Sequence, residues 1–396
     1  MNIGTIGIYA YITYDLKVIG GLEAQVFHLA NELIKRNYNV VIHCLASPSD
    51  EAKDEVVGYG LTTCSSPYFT ENFAFSKRFK EDIIFAFGIR NGKIFDMASQ
   101  VAKNLDVKLV SFVYFTKEES IWRSKFNTNG IETTNQYQEK FMDNYKNVCK
   151  TIVEESDLVI VPTEYVRGEL VAHANYKDLY KIKVCYHGIH VDNDILPSRD
   201  KWKKLNPTFV HASRLKHPES IDKGIYWTDK FADSVSGSKV YVCGNGNYQF
   251  RSENVKNMGL LNQHELHKLM KEKCLYSLIP SQMEAGCTIA LESIMCECIP
   301  IALNMAGLAE VMKMIGMEDY LVEPVKHHIG DIVSRDWFIY EPDDVTHIFK
   351  YPMKKIFADL KNAQKIIQEK FTIEKTTDKL LQYIERGLDD KFNSIP

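Results

Sequence analysis

Leu275-Tyr-Ser-Leu-Ile-Pro280-Ser-Gln-Met-Glu284-Ala-Gly286-Cys-Thr288-Ile-Ala-Leu-Glu292-Ser-Ile-Met-Cys-Glu-Cys-Ile-Pro300-Ile-Ala-Leu303 carries a strand, a loop, a helix and a second strand in 29 residues. Leu275 to Ile279 is a nearly continuous apolar run, the pattern of a strand buried on both faces of a parallel sheet. Pro280 ends it, and Gly286 supplies backbone freedom for a tight turn close to a ligand. Thr288 opens an apolar helix to about Met295, and Ile299–Leu303 reads as the next strand. A strand, a glycine-containing loop and a helix N-terminus make an anion site, because unpaired N–H groups and the helix dipole point into the loop.

Two carboxylates frame that site. Glu284 lies in the loop, and Glu292 lies one helical turn past Thr288, on the face of the helix's first turn. A carboxylate one turn from a phosphate site accepts well from a vicinal diol such as ribose. Glu284 is placed to accept from hydroxyls of whatever the phosphate carries. The bland alternative is a surface loop carboxylate followed by an exposed helix glutamate.

Glu284-x7-Glu292, after a strand ending Pro280-Ser281, resembles the E-x7-E signature of retaining GT-B glycosyltransferases of family 4 type. That family usually reads Pro-Ser, two residues, Glu-Gly-Phe-Gly. Here Ala285 and Cys287 replace the usual Gly and Phe, and Gly286 is shifted by one. The resemblance implies an α/β chain of GT-B fold, two Rossmann-like domains with parallel sheets facing across a cleft.

Composition agrees with a globular protein. The 396 residues suffice for two domains with full cores. A net charge of −4 with 25% charged residues gives no basic excess of the kind that points to nucleic acid. The nine cysteines are odd in number and several fall in apolar strands, which reads as reduced, buried thiols in a cytoplasmic setting. Cys296 and Cys298 form C-x-C without a second pair at zinc spacing, so no metal is expected there. The N-terminus reads as a first strand rather than a signal peptide. No run approaches 18 apolar residues, so no transmembrane segment is expected, while peripheral membrane contact stays open. Oligomeric state is not legible.

Taken in order, Ile3–Tyr9 is strand-like. Gly20-Gly21-Leu22-Glu23 then opens a helix with Leu22, Val26, Leu29, Ala30 and Leu33 on one face, ending at Arg36-Asn37, and Val40–Leu45 is the next strand. Gly20-Gly21 is either a plain turn or the ligand-facing corner of the βαβ unit. Strands are predicted over 83–87, 109–114, 158–161 and 182–186. The segment 115–150 reads as partly helical, on the acceptor side. Thr163 is a fair N-cap for a helix to about Ala172. In the second half, strands are predicted over 208–212 and 239–243, a capped helix after Asn262, a helix opened by 304–307, and helix throughout from about 342.

The resemblance extends from Gly20 to the C-terminal helices. Gly20 and Gly21 match the family's Gly-Gly-x-Glu segment, which faces the donor phosphates and sugar. Arg214 and Lys223 match the Arg and Lys that grip the diphosphate, with Lys216 as a rival for Lys223. Gly244 and Gly246 match its Gly-x-Gly, although Gln249 breaks a dinucleotide fingerprint. Leu260 follows the segment that contacts the base. Gly286, Cys287, Thr288, Ile289 and Glu292 complete the donor set, with Glu284 toward the sugar. His187-Gly188-Ile189-His190-Val191-Asp192 resembles the family's Asn-Gly-Val-Asp corner between domains. The family's usual histidine near the sugar is missing; Tyr114 and Thr116 occupy that neighbourhood. Asp192-Asn193-Asp194 spells a D-x-D, which in another glycosyltransferase class binds a metal-diphosphate; here it lies in a linker and is read by default as solvated carboxylates, with the metal role as the alternative.

The resulting expectation is an acceptor domain over 1–190, a linker over 191–206, and a donor domain over 207–371, with 372–390 packing back on the first. The activity expected is transfer of a hexose, with a slight lean to mannose, from a GDP-mannose or UDP-glucose type donor to a glycan or other hydroxyl acceptor. Neither metal nor further cofactor is expected. Domain closure would bring Gly20-Gly21 onto the diphosphate and exclude water. A nucleotide-sugar epimerase, a non-catalytic nucleotide-sugar-binding protein and, last, a nicotinamide dehydrogenase are the alternatives.

Overall fold

A computed structural model describes residues 4–10, 21–44, 61–64, 68–87, 92–114, 135–174, 179–190, 202, 206–215, 223–246, 248–281, 284–329, 335–339 and 342–389. In chain order the first elements are β1 (Thr5–Ala10), α1 (Gly21–Lys35), β2 (Asn39–Cys44), β3 (Leu61–Cys64), α2 (Phe69–Phe79) and β4 (Ile83–Phe87). They continue with α3 (Lys93–Leu105), β5 (Lys108–Phe112), α4 (Asn135–Glu155), β6 (Leu158–Val161), α5 (Glu164–Ala174) and β7 (Ile182–Val184). The second half has β8 (Thr208–Ala212), α6 (Ile225–Ser234), β9 (Lys239–Cys243), β10 (Val255–Gly259), α7 (Gln263–Lys273) and β11 (Tyr276–Ile279). It goes on to α8 (Thr288–Met295), β12 (Ile299–Leu303), α9 (Ala306–Met314), β13 (Leu321–Val322), β14 (Val325–Ile329), β15 (Arg335–Ile339), α10 (Met353–Lys370) and α11 (Ile373–Asp389).

The chain divides into two compact units, one gathering the described residues up to His190 with those from Ile373 onward, the other those between them. The first unit is built on a seven-stranded sheet in the order β3-β2-β1-β4-β5-β6-β7, every pairing parallel. β1 and β4 are buried at every position, as strands covered by helices on both faces must be. α1 lays Val26, Leu29, Ala30 and Leu33 on the sheet and ends at Asn37, whose φ of 66° is left-handed. The last helix belongs to this unit. Leu380 and Ile384 join its core, Arg36 Nη1 pairs with Asp378 Oδ1 at 2.6 Å, and Tyr383 donates to the Val184 carbonyl at 3.1 Å.

The second unit has a six-stranded parallel sheet, β10-β9-β8-β11-β12-β13, and a separate antiparallel pair, β14 with β15. α7 starts with a capping box: Asn262 Oδ1 accepts from Glu265 N, and Glu265 Oε2 from Asn262 N, both at 2.9 Å. α10 supports α8, where Gln364 donates to the Ile294 carbonyl at 2.9 Å. In both sheets the chain builds strands outward one way and then starts again on the other side, so the order reverses between β1 and β4 and between β8 and β11. In sheets of this kind ligands bind outside the carboxyl ends of the strands at that reversal.

The predicted strand and helix boundaries hold to within a few residues, with four corrections. Strand β7 stops at Val184 rather than Tyr186. In the stretch 115–150 the described helix, α4, starts at Asn135 and runs on to Glu155. Helix from 342 onward is interrupted, since 342–345 and 348–350 are short 3-10 turns before α10. Strands β3, β10, β13, β14 and β15 are additions that the apolar pattern does not predict.

Candidate active site at the second sheet's reversal

β8 and β11 are the two strands that flank the reversal, and the chain leaving each carries the charged candidates. After β8, Ser213 N bonds the Cys243 carbonyl and Leu215 N the Asn245 carbonyl, both at 2.9 Å. Leu215 is buried while Arg214 between them is exposed at the strand end. This turn explains Gly244 and Gly246. A Cβ on Gly244 would fall on the Ser213 carbonyl oxygen, and one on Gly246, whose φ is 150°, on the Leu215 backbone. Two glycines are therefore required for the backbone bearing Arg214 to lie where it does.

Lys223 follows from the same strand. Gly224, at φ 70°, caps α6 and lets it press on Pro280, the residue that ends β11; a Cβ would sit 2.7 Å from Pro280 Cγ. The contact brings Lys223 to the β11 loop, where its Nζ lies 2.6 Å from Glu284 Oε1. The Glu284 backbone is itself held, because Gly307 N donates to its carbonyl at 3.0 Å. Beneath the pair lies His211 on β8, with Nδ1 2.6 Å from Thr228 Oγ1. Burial first, and the Lys223 charge second, push His211 down to a pKa of about 3, so the ring is neutral at physiological pH.

Gly286 and the N-cap Cys287 lead into α8. The backbone N–H groups of Thr288 and Ile289 make no hydrogen bond among the described residues, as expected in the first turn of a helix. The Cys287 thiol is buried and its pKa is pushed far up, by burial and then by the Glu284 charge. A thiol in that state is a poor nucleophile. Glu292, one turn along, meets a partner that motif spacing does not reveal: Oε2 lies 3.0 Å from His267 Nε2 on α7. Leu260 is 41% exposed just past β10. Arg214, Lys223, Glu284, the α8 amides and Glu292 thus all belong to chain leaving the carboxyl ends of β8 and β11.

In the first unit Gly21 opens α1, with nothing within 4 Å of where a Cβ would stand. Tyr114, just past β5, meets the His187 ring edge-on at 4.4 Å between centroids. Burial raises the Tyr114 pKa well above 10, keeping the hydroxyl a proton donor. In the 187–192 corner His187 reads only as a replacement for the usual Asn. Its contact with Tyr114 is tertiary, and no local pattern in the chain marks it. Gly20, Thr116, Lys216, Asp192 and Asp194 lie outside the described residues. No group of three His, Cys, Asp or Glu side chains disposed to hold a metal ion occurs among the described residues. None of their helices is long and apolar enough to cross a membrane.

Residues 19–193 match the family model described as Glycosyltransferase Family 4. HepE of Anabaena, solved in complex with UDP-glucose, aligns with a TM-score of 0.67 at 13% identity, covering 97% of this chain and 100% of that one. Sucrose-phosphate synthase from Thermosynechococcus elongatus gives a TM-score of 0.69 at 14% identity, covering 98% and 100%. The lipopolysaccharide outer core galactosyltransferase WaaB gives 0.59 at 12%, covering 99% and 100%. No curated protein matches the sequence. The fold these likenesses define is GT-B. The chain thus has the GT-B fold, and its residues 19–193 are similar to glycosyltransferase family 4.

Proposed function

We propose that the chain is a retaining glycosyltransferase that moves a hexose from a nucleoside-diphosphate sugar to an acceptor hydroxyl in glycan synthesis. The observation that carries this is the meeting of Lys223 and Glu284 at the β8/β11 reversal, beside the open amides of α8. That arrangement offers positive charge to a diphosphate and a carboxylate to the sugar it carries. Glu292, one turn into α8, takes the ribose hydroxyls.

In the reaction the bond from the anomeric carbon to the diphosphate oxygen breaks, and its electron pair leaves with the nucleoside diphosphate. Arg214, Lys223 and the amides of Thr288 and Ile289 stabilise that departing charge. Glu284 faces the positive charge that builds on the sugar ring. The acceptor oxygen attacks the face the phosphate leaves, and its proton passes to the departing phosphate oxygen. Neutral Cys287 supports this route over a covalent cysteine intermediate. Tyr114, with His187 against its ring, is the candidate to hydrogen-bond sugar or acceptor.

The donor is a GDP-mannose or UDP-glucose type molecule. The lean to mannose rests on the resemblance, while HepE, solved with UDP-glucose and with UDP, speaks for a uridine donor. Incubation with a panel of UDP- and GDP-hexoses, following nucleoside diphosphate release and the product anomer by NMR, tests the proposal. Release with one donor and an anomer matching it is the expected result. Binding without any turnover, with or without simple sugar acceptors, would favour a nucleotide-sugar-binding protein instead.

A further inference from the structure

Glu292 leans on a histidine of the neighbouring helix. His267 Nε2 on α7 lies 3.0 Å from Glu292 Oε2 on α8, and each side chain is only 12% exposed. A carboxylate only accepts, so Nε2 carries the hydrogen whether the ring is neutral or charged. That bond occupies one of about four lone-pair sites on the carboxylate. Glu292 Oε1 has no hydrogen-bond partner among the described residues, and it is not one of the buried oxygens. The carboxylate is thus fixed at one oxygen and open at the other.

A glutamate side chain left to itself samples several rotamers, and ordering it costs a ligand part of its binding energy. A partner that orders it beforehand removes that cost from binding. The two residues stand on helices whose positions are set independently, α7 by its capping box and α8 by its contact with α10. The direction of the carboxylate is therefore a property of the folded unit.

We propose that His267 is a positioning residue for the donor. It holds Glu292 in the orientation that accepts from the ribose hydroxyls, and so sets the preference for a ribonucleotide. This rests on the assignment of Glu292 to the ribose. The competing explanation is that the bond only ties α7 to α8.

The test compares UDP and GDP with their 2′,3′-dideoxy counterparts by calorimetric titration, in the full chain and in His267→Ala, His267→Leu, His267→Gln and Glu292→Gln variants. The parent should favour the ribonucleotide by at least about tenfold, since hydroxyls bonded to a charged acceptor are lost. His267→Ala and His267→Leu should bring that ratio to within about threefold, mainly by weakening the ribonucleotide. His267→Gln, which keeps an N–H donor, should restore most of it. In turnover the Ala and Leu variants should raise KM more than they lower kcat. If they keep the parent's ratio while Glu292→Gln loses it, His267 is only a tie and the proposal is overturned. Failure of both apolar variants to fold would likewise make His267 a structural tie and overturn the proposal. If Glu292→Gln also keeps the ratio, the ribose assignment itself falls, and the proposal with it.

Discussion

Glu284→Gln separates charge from shape at the centre of the site. In the structure Glu284 neutralises Lys223 across 2.6 Å, with the two side chains 18% and 25% exposed. The amide oxygen of Gln can still accept from Lys223, so the fold loses only the difference between a charged and a neutral bond. That is about 1 kcal/mol, less where solvent screens it. For a bound diphosphate the change is favourable, because a negative charge beside it disappears and Lys223 is released. At about 6 Å and an effective dielectric of about 20, one charge pair is worth roughly 3 kcal/mol, and partial exposure brings this to about 1. Bare UDP or GDP should therefore bind unchanged or up to about fivefold more tightly. Turnover should go the other way, with kcat falling about 10²-fold, because no carboxylate meets the charge that builds on the sugar. Titration of the bare nucleotide and steady-state donor turnover on the same variant give both values. If Glu284→Gln weakens the bare nucleotide as much as Glu292→Gln does, both carboxylates serve the nucleotide and the assignment to the sugar is wrong.

Arg214→Ala and Lys223→Ala should each lower kcat by about 10²–10³, the cost of one transition-state charge donor; a harmless Lys223→Ala beside a crippling Lys216→Ala would shift the role to Lys216. Gly244→Ala should destabilise the second unit by more than about 3 kcal/mol in urea unfolding, because the Ser213 backbone must move. Gly21→Ala should leave stability unchanged or raise it by up to about 1 kcal/mol, having open space at a helix start; a fall in activity without a fall in Tm would mark close ligand approach. His211 has a folded pKa of about 3 against an ordinary 6.5, so the unfolded chain binds the extra proton between those values. Stability of the second unit is then complete above pH 6.5 and falls on acidification toward pH 3, by at most about 1.4 kcal/mol per pH unit. His211→Gln should flatten that part of a urea-midpoint profile.

Much of the frame is legible in the chain because its strands are buried on both faces. Ile83–Phe87, Leu158–Val161 and Ile299–Leu303 are unbroken apolar runs that could be nothing else in an alternating β/α chain. Leu61–Cys64, half polar at a sheet edge, and the β14/β15 pair with its Lys, His, Arg and Asp lack that pattern. The charged candidates show through motif spacing, whereas their partners do not. Lys223 and Glu284 are 61 residues apart and meet only because Gly224 packs on Pro280. His267 and Glu292 meet across two helices, and neither helix's own periodicity marks the contact. Gly244 and Gly246 read as ligand glycines by their motif, and their geometry shows a packing demand beneath Arg214 that spacing alone does not reveal.

The most direct measurement is a thermal-shift panel of UDP- and GDP-hexoses on the full chain, each at a fixed concentration well above micromolar. A donor present at about 100 times its Kd adds about 2.7 kcal/mol to the state that binds it. For a unit of this size that should raise the second unit's Tm by roughly 5–10 °C. Such a rise is expected with at least one nucleotide sugar, abolished or much reduced in Lys223→Ala and Glu292→Gln. A flat response to every nucleotide sugar and to UDP and GDP themselves would contradict a donor site at the β8/β11 reversal.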